Sequence, residues 1–243
     1  ELLQTTPTGG TESLTITEDV SDTSFTLDSF NPTIENEFQV RVTDYWGLHL
    51  LGNPLPNEIE PPPNPSDIIS VEYNTENLTI SWEQSEESDF LSYDLYGSAS
   101  EGGDRILVES IVDIAVTEHS ITEFDPTEEN WFWVTVKDVW GQTTIGLGLT
   151  NSLELPPNAV TINPITYEDG NFNISWSQNQ DNDFLSYSLY VSLDITMSES
   201  ELIFSSGNQT DTNFIYPFAT NEIRYYQLTT NDIYNLGALS NIK

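Results

Sequence analysis

The sequence predicts an all-β chain of small β-sandwiches in tandem, arranged as an extended rod. The first observation is an internal repeat. The segments RVTDYWG, VTVKDVWG and LTTNDIYN place Asp44, Asp138 and Asp232 at equivalent positions, 94 residues apart each time. A fixed period identifies the unit that must fold. The second observation is that apolar and polar residues alternate over short segments, as in half-buried strands, without convincing helical periodicity.

The repeat divides the chain into three segments, which we call the first (1–60), second (61–155) and third (156–243) modules. Prolines open the second module at Pro61–Pro63 and the third at Pro156-Pro157, and such prolines stiffen a short connector. The first module is partial, because nothing in it matches the early strand NLTISW of the second module.

Each strand is predicted from a segment that recurs between modules. NLTISW (77–82) recurs as NFNISW (171–176), and FLSYDLY (90–96) recurs as FLSYSLY (184–190). A later strand is predicted at HSITEF (119–124), with counterparts SFTLDSF (24–30) and NFIYPF (213–218). The last long strand alternates Phe132, Val134 and Val136, so these side chains are expected in the core.

The order of these segments resembles the fibronectin type III module, an immunoglobulin-like sandwich, and especially its bacterial and archaeal extracellular versions. The residues that carry the resemblance are Asp89-Phe90-x-x-Tyr93-x-Leu95-Tyr96 and Val134-x-Val136-x-Asp138-x-x-Gly141. The resemblance implies that Trp82 and Trp176 are core tryptophans. It also implies that Phe132 and Tyr226 occupy the family's corner-tyrosine position, so the corner hydrogen bond is missing in the second module. Asn235 replaces the glycine of the last hairpin, and asparagine tolerates a positive φ.

A sandwich that lacks its first strands exposes one face of its core. In the first module, counting back one period places Glu1 at the position of Leu95, and the exposed set is Phe25, Leu27, Phe30, Phe38, Val40 and Val42. Each large side chain left in water forgoes about 1.5–3 kcal/mol. Either the chain is a fragment of a longer array, or a neighbouring subunit donates strands. We expect the first, because the third module offers no spare donor strand.

The chain carries 40 acidic residues against five basic ones, a net charge of −35, and no cysteine. Nucleic acids need clustered basic residues, so they are excluded as partners. Anionic membrane surfaces are disfavoured for the same reason, and no segment is apolar enough to insert in a bilayer. The charge indicates either a solvated acidic surface or specific Ca²⁺ binding.

Calcium is the one cofactor that the sequence suggests, because carboxylates converge near the linkers between modules. The candidate metal ligands are Glu87, Asp89, Asp138, Asp181, Asp183, Asp232 and Asp125. The competing interpretation is that Asp89 and Asp183 bind loop backbone, and that Asp138 and Asp232 cap turns.

Trp131 and Trp133 flank a core position, so both indoles are expected to point outward as a platform for a glycan or a neighbouring chain. The competing interpretation is packing against adjacent strands. Asn77, Asn173 and Asn208 match the N-glycosylation pattern.

No catalytic constellation is evident in the sequence. We therefore expect a non-catalytic extracellular or cell-surface module that acts as a spacer, adhesin, surface-layer or filament subunit. Its expected partners are copies of itself, other surface proteins or glycans. The alternative is a carbohydrate-binding accessory region of a secreted polysaccharide-degrading enzyme.

Overall fold

The computed structural model describes residues 1–218 and 221–243, and the described chain consists of β-strands and loops. No helix in this part of the chain is long and apolar enough to cross a membrane. The strands of the first module are β1 Leu2–Thr6, β2 Gly10–Thr15, β3 Glu37–Thr43, β4 His49–Leu51 and β5 Leu55–Pro56.

The second module contains two antiparallel sheets. Its strands are β6 Ile68–Tyr73, β7 Leu78–Trp82, β8 Phe90–Ser98, β9 Ile106–Ile111, β10 Glu118–Ile121, β11 Trp131–Asp138, β12 Thr143–Ile145 and β13 Leu149–Thr150. One sheet has the order β10-β7-β6, and the other has the order β12-β11-β8-β9 with β13 also paired to β11.

The third module repeats this arrangement. Its strands are β14 Thr166–Glu168, β15 Asn171–Ser175, β16 Phe184–Ser192, β17 Glu201–Ser206, β18 Asn213–Pro217, β19 Tyr225–Asp232 and β20 Gly237–Leu239. The sheet orders are β14-β15-β18 and β17-β16-β19-β20. Ile162 adds a single bridge to Trp176 at the edge of the first of these sheets.

The predicted core alternation is confirmed in the second and third modules. Along β7, Leu78, Ile80 and Trp82 are buried while the residues between them are half-buried. The two core tryptophans have equivalent surroundings, because Trp82 meets Tyr93 edge-on at 5.8 Å and Trp176 meets Tyr187 edge-on at 5.8 Å. The repeat in the sequence is therefore a repeat of the packed core.

The first module contains one sheet, in the order β2-β1-β3-β4 with β5 also paired to β3. Leu2 lies opposite Val40, just as Leu95 lies opposite Val134. The expectation that Glu1 takes the place of Leu95 is therefore wrong by one residue. Leu2 fills that position because strand pairing, not the residue count, sets the register.

The strand predicted at residues 24–30 is also absent, since no strand is assigned there. Its counterpart β10 is held in the second module by pairing with β7. The first module has no counterpart of β7, so the segment has no ladder to join. The predicted open face is confirmed at Val40 and Val42, which are 51% and 66% exposed.

Candidate functional site

The acidic residues predicted to bind metal lie in the loops at one end of each module. Asp138 and Asp232 are the last residues of the long strands β11 and β19 and are fully buried. Asp138 Oδ1 accepts hydrogen bonds from the amides of Trp140 and Gln142 at 2.9 and 2.8 Å. Asp232 Oδ1 accepts equivalent bonds from Tyr234 and Leu236. These two aspartates cap the last hairpin of their module, as the competing interpretation held.

The same hairpin occurs in the first module, where Asp44 accepts from the amides of Trp46 and Leu48. Gly141 in the second hairpin has a φ of +86°, and Asn235 in the third has a φ of +65°. The prediction that asparagine can replace this glycine is therefore confirmed.

Glu87 and Asp181 hold the connectors that enter their modules. Glu87 Oε1 accepts from the backbone amide and the side-chain amide of Asn64, at 2.8 and 2.7 Å. One period later, Asp181 accepts from the same two groups of Asn158 at 2.6 Å each. Asn64 and Asn158 follow the prolines, so each connector is tied to the module that it precedes.

Asp89, Asp125 and Asp183 occupy different settings. The Asp89 carbonyl oxygen accepts from the amide of Val139, and the Asp183 carbonyl oxygen accepts from the amide of Ile233. Asp125 Oδ1 accepts from the amide and hydroxyl of Thr127, which lower the pKa of the Asp125 carboxyl. In the described part of the chain, no three His, Cys, Asp or Glu side chains are grouped so that they could hold a metal ion.

The junction between the second and third modules forms an open cleft of about 710 Å³. The Tyr73 hydroxyl donates to Glu154 Oε2 at 3.0 Å, and the Tyr234 hydroxyl donates to the carbonyl oxygen of Asn74 at 3.3 Å. The side chains that matter here are Tyr73, Glu154, Asp181, Asp183 and Tyr234. Burial and the bond to Glu154 raise the pKa of Tyr73 to about 12, so both hydroxyls stay protonated donors at neutral pH.

Two neighbouring carboxyls in this cleft are shifted in opposite directions. Burial raises the pKa of Asp183, and the negative charges of Glu154, Asp232 and Asp181 add to the effect. Burial also opposes ionisation of Asp181, but hydrogen bonds from Asn179 and Asn158 outweigh it and lower the pKa. The hydrogen bonds to Asp181 thus favour its ionised form, whereas the surroundings of Asp183 disfavour ionisation.

The junction between the first and second modules uses different contacts. The Gln142 side-chain amide donates to the carbonyl oxygens of Glu60 and Pro61 and to Asp138 Oδ2. In the third module Leu236 replaces Gln142 and lacks a polar head. Asp232 Oδ2 is consequently buried without a hydrogen bond to the described residues.

Trp131 and Trp133 do not form the expected exposed platform. Trp133 is only 4% exposed, because the Arg105 guanidinium lies 4.2 Å from its ring and Gly148 packs against its Nε1 edge. Trp131 is half-buried, stacks on Trp133 at 5.9 Å and donates from Nε1 to Glu129. The expectation of two outward indoles is wrong for Trp133, because Arg105 and Gly148 cover its ring. Sequence reasoning did not connect these two residues with Trp133.

Of the three glycosylation candidates, Asn77 directly precedes β7, Asn173 is the central residue of β15, and Asn208 lies in a loop. Asn77 and Asn173 are half-buried, and the Asn173 side-chain amide donates to Thr166 on the neighbouring strand. Asn208 is exposed, and its side chain binds Thr210 and Asp211 within its own turn. Of the three, Asn208 is the most accessible to a modifying enzyme, and modification stays a prediction.

A buried tyrosine in each complete module links two loops, which sequence reasoning missed. The Tyr93 hydroxyl accepts from the amide of Ser85 and donates to the carbonyl oxygen of Ile114. Tyr187 makes the corresponding bonds to Asn179 and Gln209. The repeat of tyrosine at a core-facing position was the available signal, because a buried hydroxyl needs partners.

Tyr226, by contrast, lies at the implied corner position, but its buried hydroxyl makes no hydrogen bond to the described residues. Among the described residues, the corner bond is therefore absent in the third module as well.

The sheet orders and the paired core tryptophans now decide the fold. The two complete modules have the fibronectin type III fold. No family model matches the sequence, and no curated protein matches it. Among solved structures, the crystal structure of chicken CNTN1 FN1-FN3 domains is similar, with 14% identity over 87% of this chain and 76% of that chain and a TM-score of 0.34. The fold assignment rests on strand order and pairing within each module.

Proposed function

We propose that this chain is a non-catalytic structural or adhesive segment of an extracellular or cell-surface protein, in which the modules act as a spacer. The observation that carries the proposal is the set of contacts that fix one module to the next. Tyr234 bonds to Asn74 across the junction, and Asp181 holds the connector at Asn158. Contacts of this kind restrict the angle between modules, which a spacer requires.

Small-angle X-ray scattering on the purified chain tests this role. We expect a single extended particle whose maximum dimension is the same at low and at molar salt, because the junction bonds are short and specific. Modules that swivel independently would give a broad, salt-dependent distribution of dimensions and would contradict the spacer proposal.

The expected partners are copies of this chain or other surface proteins. Electron microscopy at high protein concentration separates the possibilities. A lattice or fibre supports a surface-layer or filament subunit, and separate particles that bind a surface protein support an adhesin.

Calcium stiffening of the junctions is the secondary proposal. It is supported by the crowding of Asp183 with Glu154 and Asp232, which a divalent cation would relieve. The caps on Asp138 and Asp232 and the absence of a three-ligand group in the described chain weigh against a tight site. Thermal melting with millimolar Ca²⁺ is the test, with Mg²⁺ as the control for screening. An unchanged melting temperature would contradict the proposal that Ca²⁺ stiffens the junctions.

The alternative function, a carbohydrate-binding accessory region, depends on Trp131, the partly exposed indole of the expected Trp131–Trp133 platform. Glycan-array binding by the native chain and by Trp131→Ala would support it if the variant lost a specific signal. Equal signals from the two proteins would count against it.

A further inference from the structure

The last hairpins of the second and third modules are built alike, but they differ in one buried hydrogen bond. Asp138 and Asp232 cap their hairpins through Oδ1 with equivalent bonds, so the second carboxylate oxygen of each lies on the equivalent side. Asp138 Oδ2 accepts from the Gln142 side-chain amide at 3.3 Å. Asp232 is equally buried, but its Oδ2 accepts no hydrogen bond from the described residues, because Leu236 replaces the glutamine.

The Gln142 nitrogen shows which groups meet at this position. Its Nε2 atom lies 3.2 and 3.1 Å from the carbonyl oxygens of Glu60 and Pro61, in addition to its contact with Asp138 Oδ2. Three oxygens thus surround one nitrogen, although a side-chain amide has only two hydrogens to donate. A primary ammonium group has three hydrogens, so it would satisfy all three oxygens.

The connector that enters the third module is held in the same way, one period later. The amide of Glu154 donates to the carbonyl oxygen of Pro126, as the amide of Glu60 donates to that of Pro32. The far ends of the two connectors are held by the equivalent acid–asparagine bonds described above. Because both ends are anchored alike, the repeat brings the carbonyl oxygens of Glu154 and Leu155 to the places of the two that contact the glutamine nitrogen.

The charges around Asp232 favour a cation over a neutral donor. Burial and the charges of Glu154 and Asp232 raise the pKa of Asp183. Burial and the charges of the same three carboxylates raise the pKa of Tyr234. Glu154, Asp183 and Tyr234 all line the open cleft of about 710 Å³, so the charge of Asp232 acts on the cleft although its side chain is buried. A cation that enters from the cleft meets three negative charges.

The spacing of the oxygens distinguishes an ammonium group from a metal ion. The distances of 3.1–3.3 Å around the glutamine nitrogen are hydrogen-bond distances. Calcium takes roughly six to eight oxygens at about 2.3–2.6 Å. In the part of the chain that the structure describes, no three acidic side chains are grouped to supply such a shell. The arrangement is therefore suited to a nitrogen donor.

We propose that the junction between the second and third modules binds a primary alkylammonium group, which donates to Asp232 Oδ2 and to the carbonyl oxygens of Glu154 and Leu155. A lysine side chain of a partner protein and a free aliphatic diamine both carry this group. The net charge of −35 makes two copies of this chain repel each other, so the ammonium group belongs to a molecule of another composition. The inference does not rest on the spacer role, because it concerns a ligand at one junction and not the rigidity of the whole chain.

The test is an NMR titration of the intact, isotope-labelled chain with Nα-acetyl-lysine methylamide at about 0.15 M salt, which screens the general surface charge. We expect one-to-one binding with saturable shifts at the backbone amides of Leu155, Tyr234 and Leu236. The matched probe is the same compound trimethylated at Nε, which keeps the positive charge but has no N–H to donate. It should bind at least about tenfold more weakly. Equal binding of the two probes would overturn the proposal, because it would show attraction by charge alone.

Three variants examine the assigned oxygens. Leu236→Gln supplies the amide that the second module already carries, so it should abolish saturable binding and raise the melting temperature. Leu236→Met is the matched control, because methionine has a similar length without a donor and should leave binding unchanged. Gln142→Leu should create a second site at the first junction and change the stoichiometry from one to two. The proposal is overturned if the native chain does not bind the lysine probe, if Leu236→Gln binds it equally well, or if Gln142→Leu still binds only one.

The source of the ammonium group is decided by comparing the lysine probe with diaminopentane. Tighter binding of diaminopentane assigns the site to a soluble diamine, and tighter binding of the lysine probe assigns it to a partner protein. Either result supports the ammonium site. Displacement of the lysine probe by Ca²⁺ at an equal concentration would overturn the proposal, because a metal ion would then be the preferred ligand.

Discussion

The Tyr234 hydroxyl donates a hydrogen bond to the carbonyl oxygen of Asn74, a residue 160 positions earlier in the chain, at 3.3 Å. The bond joins the last hairpin of the third module to the first turn of the second. Tyr73, one residue before Asn74, donates in turn to Glu154 at the end of the second module. The two bonds tie the last hairpin of the third module to the β6–β7 turn, and that turn to the end of the second module.

The first prediction concerns this coupling. Tyr234→Phe removes one hydrogen bond worth about 0.5–1.5 kcal/mol and should broaden the distribution of angles between the second and third modules. Distances between spin labels on the two modules measure the change. Trp140→Phe is the control, because Trp140 occupies the equivalent position in the hairpin at the other junction. Equal broadening in both variants would show that the bond does not set the angle.

The second prediction concerns pH and the two carboxyls of the cleft. The folded-state pKa of Asp181 is lowered, so its contribution to stability is present above the unfolded value of about 3.9 and is lost as the pH falls. The folded-state pKa of Asp183 is raised, so its contribution is lost as the pH rises through that pKa. At neutral pH, Asp181→Asn should therefore destabilise the third module, and Asp183→Asn should stabilise it.

Urea unfolding from about pH 3 to pH 7 measures both effects, and Asn182→Ala provides an exposed control between the two positions. Stability changes of the same sign in the two aspartate variants would contradict the opposite pKa shifts.

The third prediction compares two buried tyrosines in one core. Tyr187→Phe leaves the amide of Asn179 and the carbonyl oxygen of Gln209 without their partner, and should cost about 1–3 kcal/mol. Tyr226→Phe removes a hydroxyl without a partner in the described chain, and should be neutral or stabilising. Phe132 already occupies the equivalent position in the second module. Thermal melting ranks the two variants, and a larger loss for Tyr226→Phe would show that its hydroxyl is satisfied.

The fourth prediction concerns the covered indole. A Cβ atom at Gly148 would overlap Trp133 Nε1, so Gly148→Ala must displace the ring. We expect a loss of about 1–3 kcal/mol and a red shift in tryptophan emission as Trp133 leaves its site under Arg105. Gly102→Ala is the control, because a Cβ there meets nothing within 4 Å. An unchanged emission spectrum in Gly148→Ala would mean that the ring accommodates the methyl group in place.

Strand positions and core side chains could be predicted from the sequence, because alternation and the repeat act together. Successive side chains of a strand point to opposite faces, so a strand places Leu78, Ile80 and Trp82 on one face, and all three are buried. The same reasoning wrongly predicts a strand at residues 24–30. A strand needs a neighbouring strand to pair with, and the local sequence pattern carries no information about that neighbour. Trp133 fails because its cover comes from Arg105 and Gly148, which lie on other segments.

The site was predicted in place but not in chemistry. The carboxylates lie at the expected ends of the modules, yet five of the seven accept hydrogen bonds from backbone or asparagine amides, namely Glu87, Asp125, Asp138, Asp181 and Asp232. Sequence spacing brings Asp181 and Asn158 to the same position in the repeat as Glu87 and Asn64, but it does not state which donor each oxygen receives. The one sequence signal for these bonds is that an acidic residue and an asparagine recur together one period apart, as Glu87 with Asn64 and as Asp181 with Asn158.

The bonds from Glu87 to Asn64 and from Asp181 to Asn158 make each connector part of the domain that follows it. The unit that can be duplicated in evolution or expressed alone therefore starts at the prolines and not at the first strand. A recombinant third domain that starts at Val160 would leave the Asp181 carboxylate without its Asn158 donors, whereas one that starts at Pro156 would carry its own clasp.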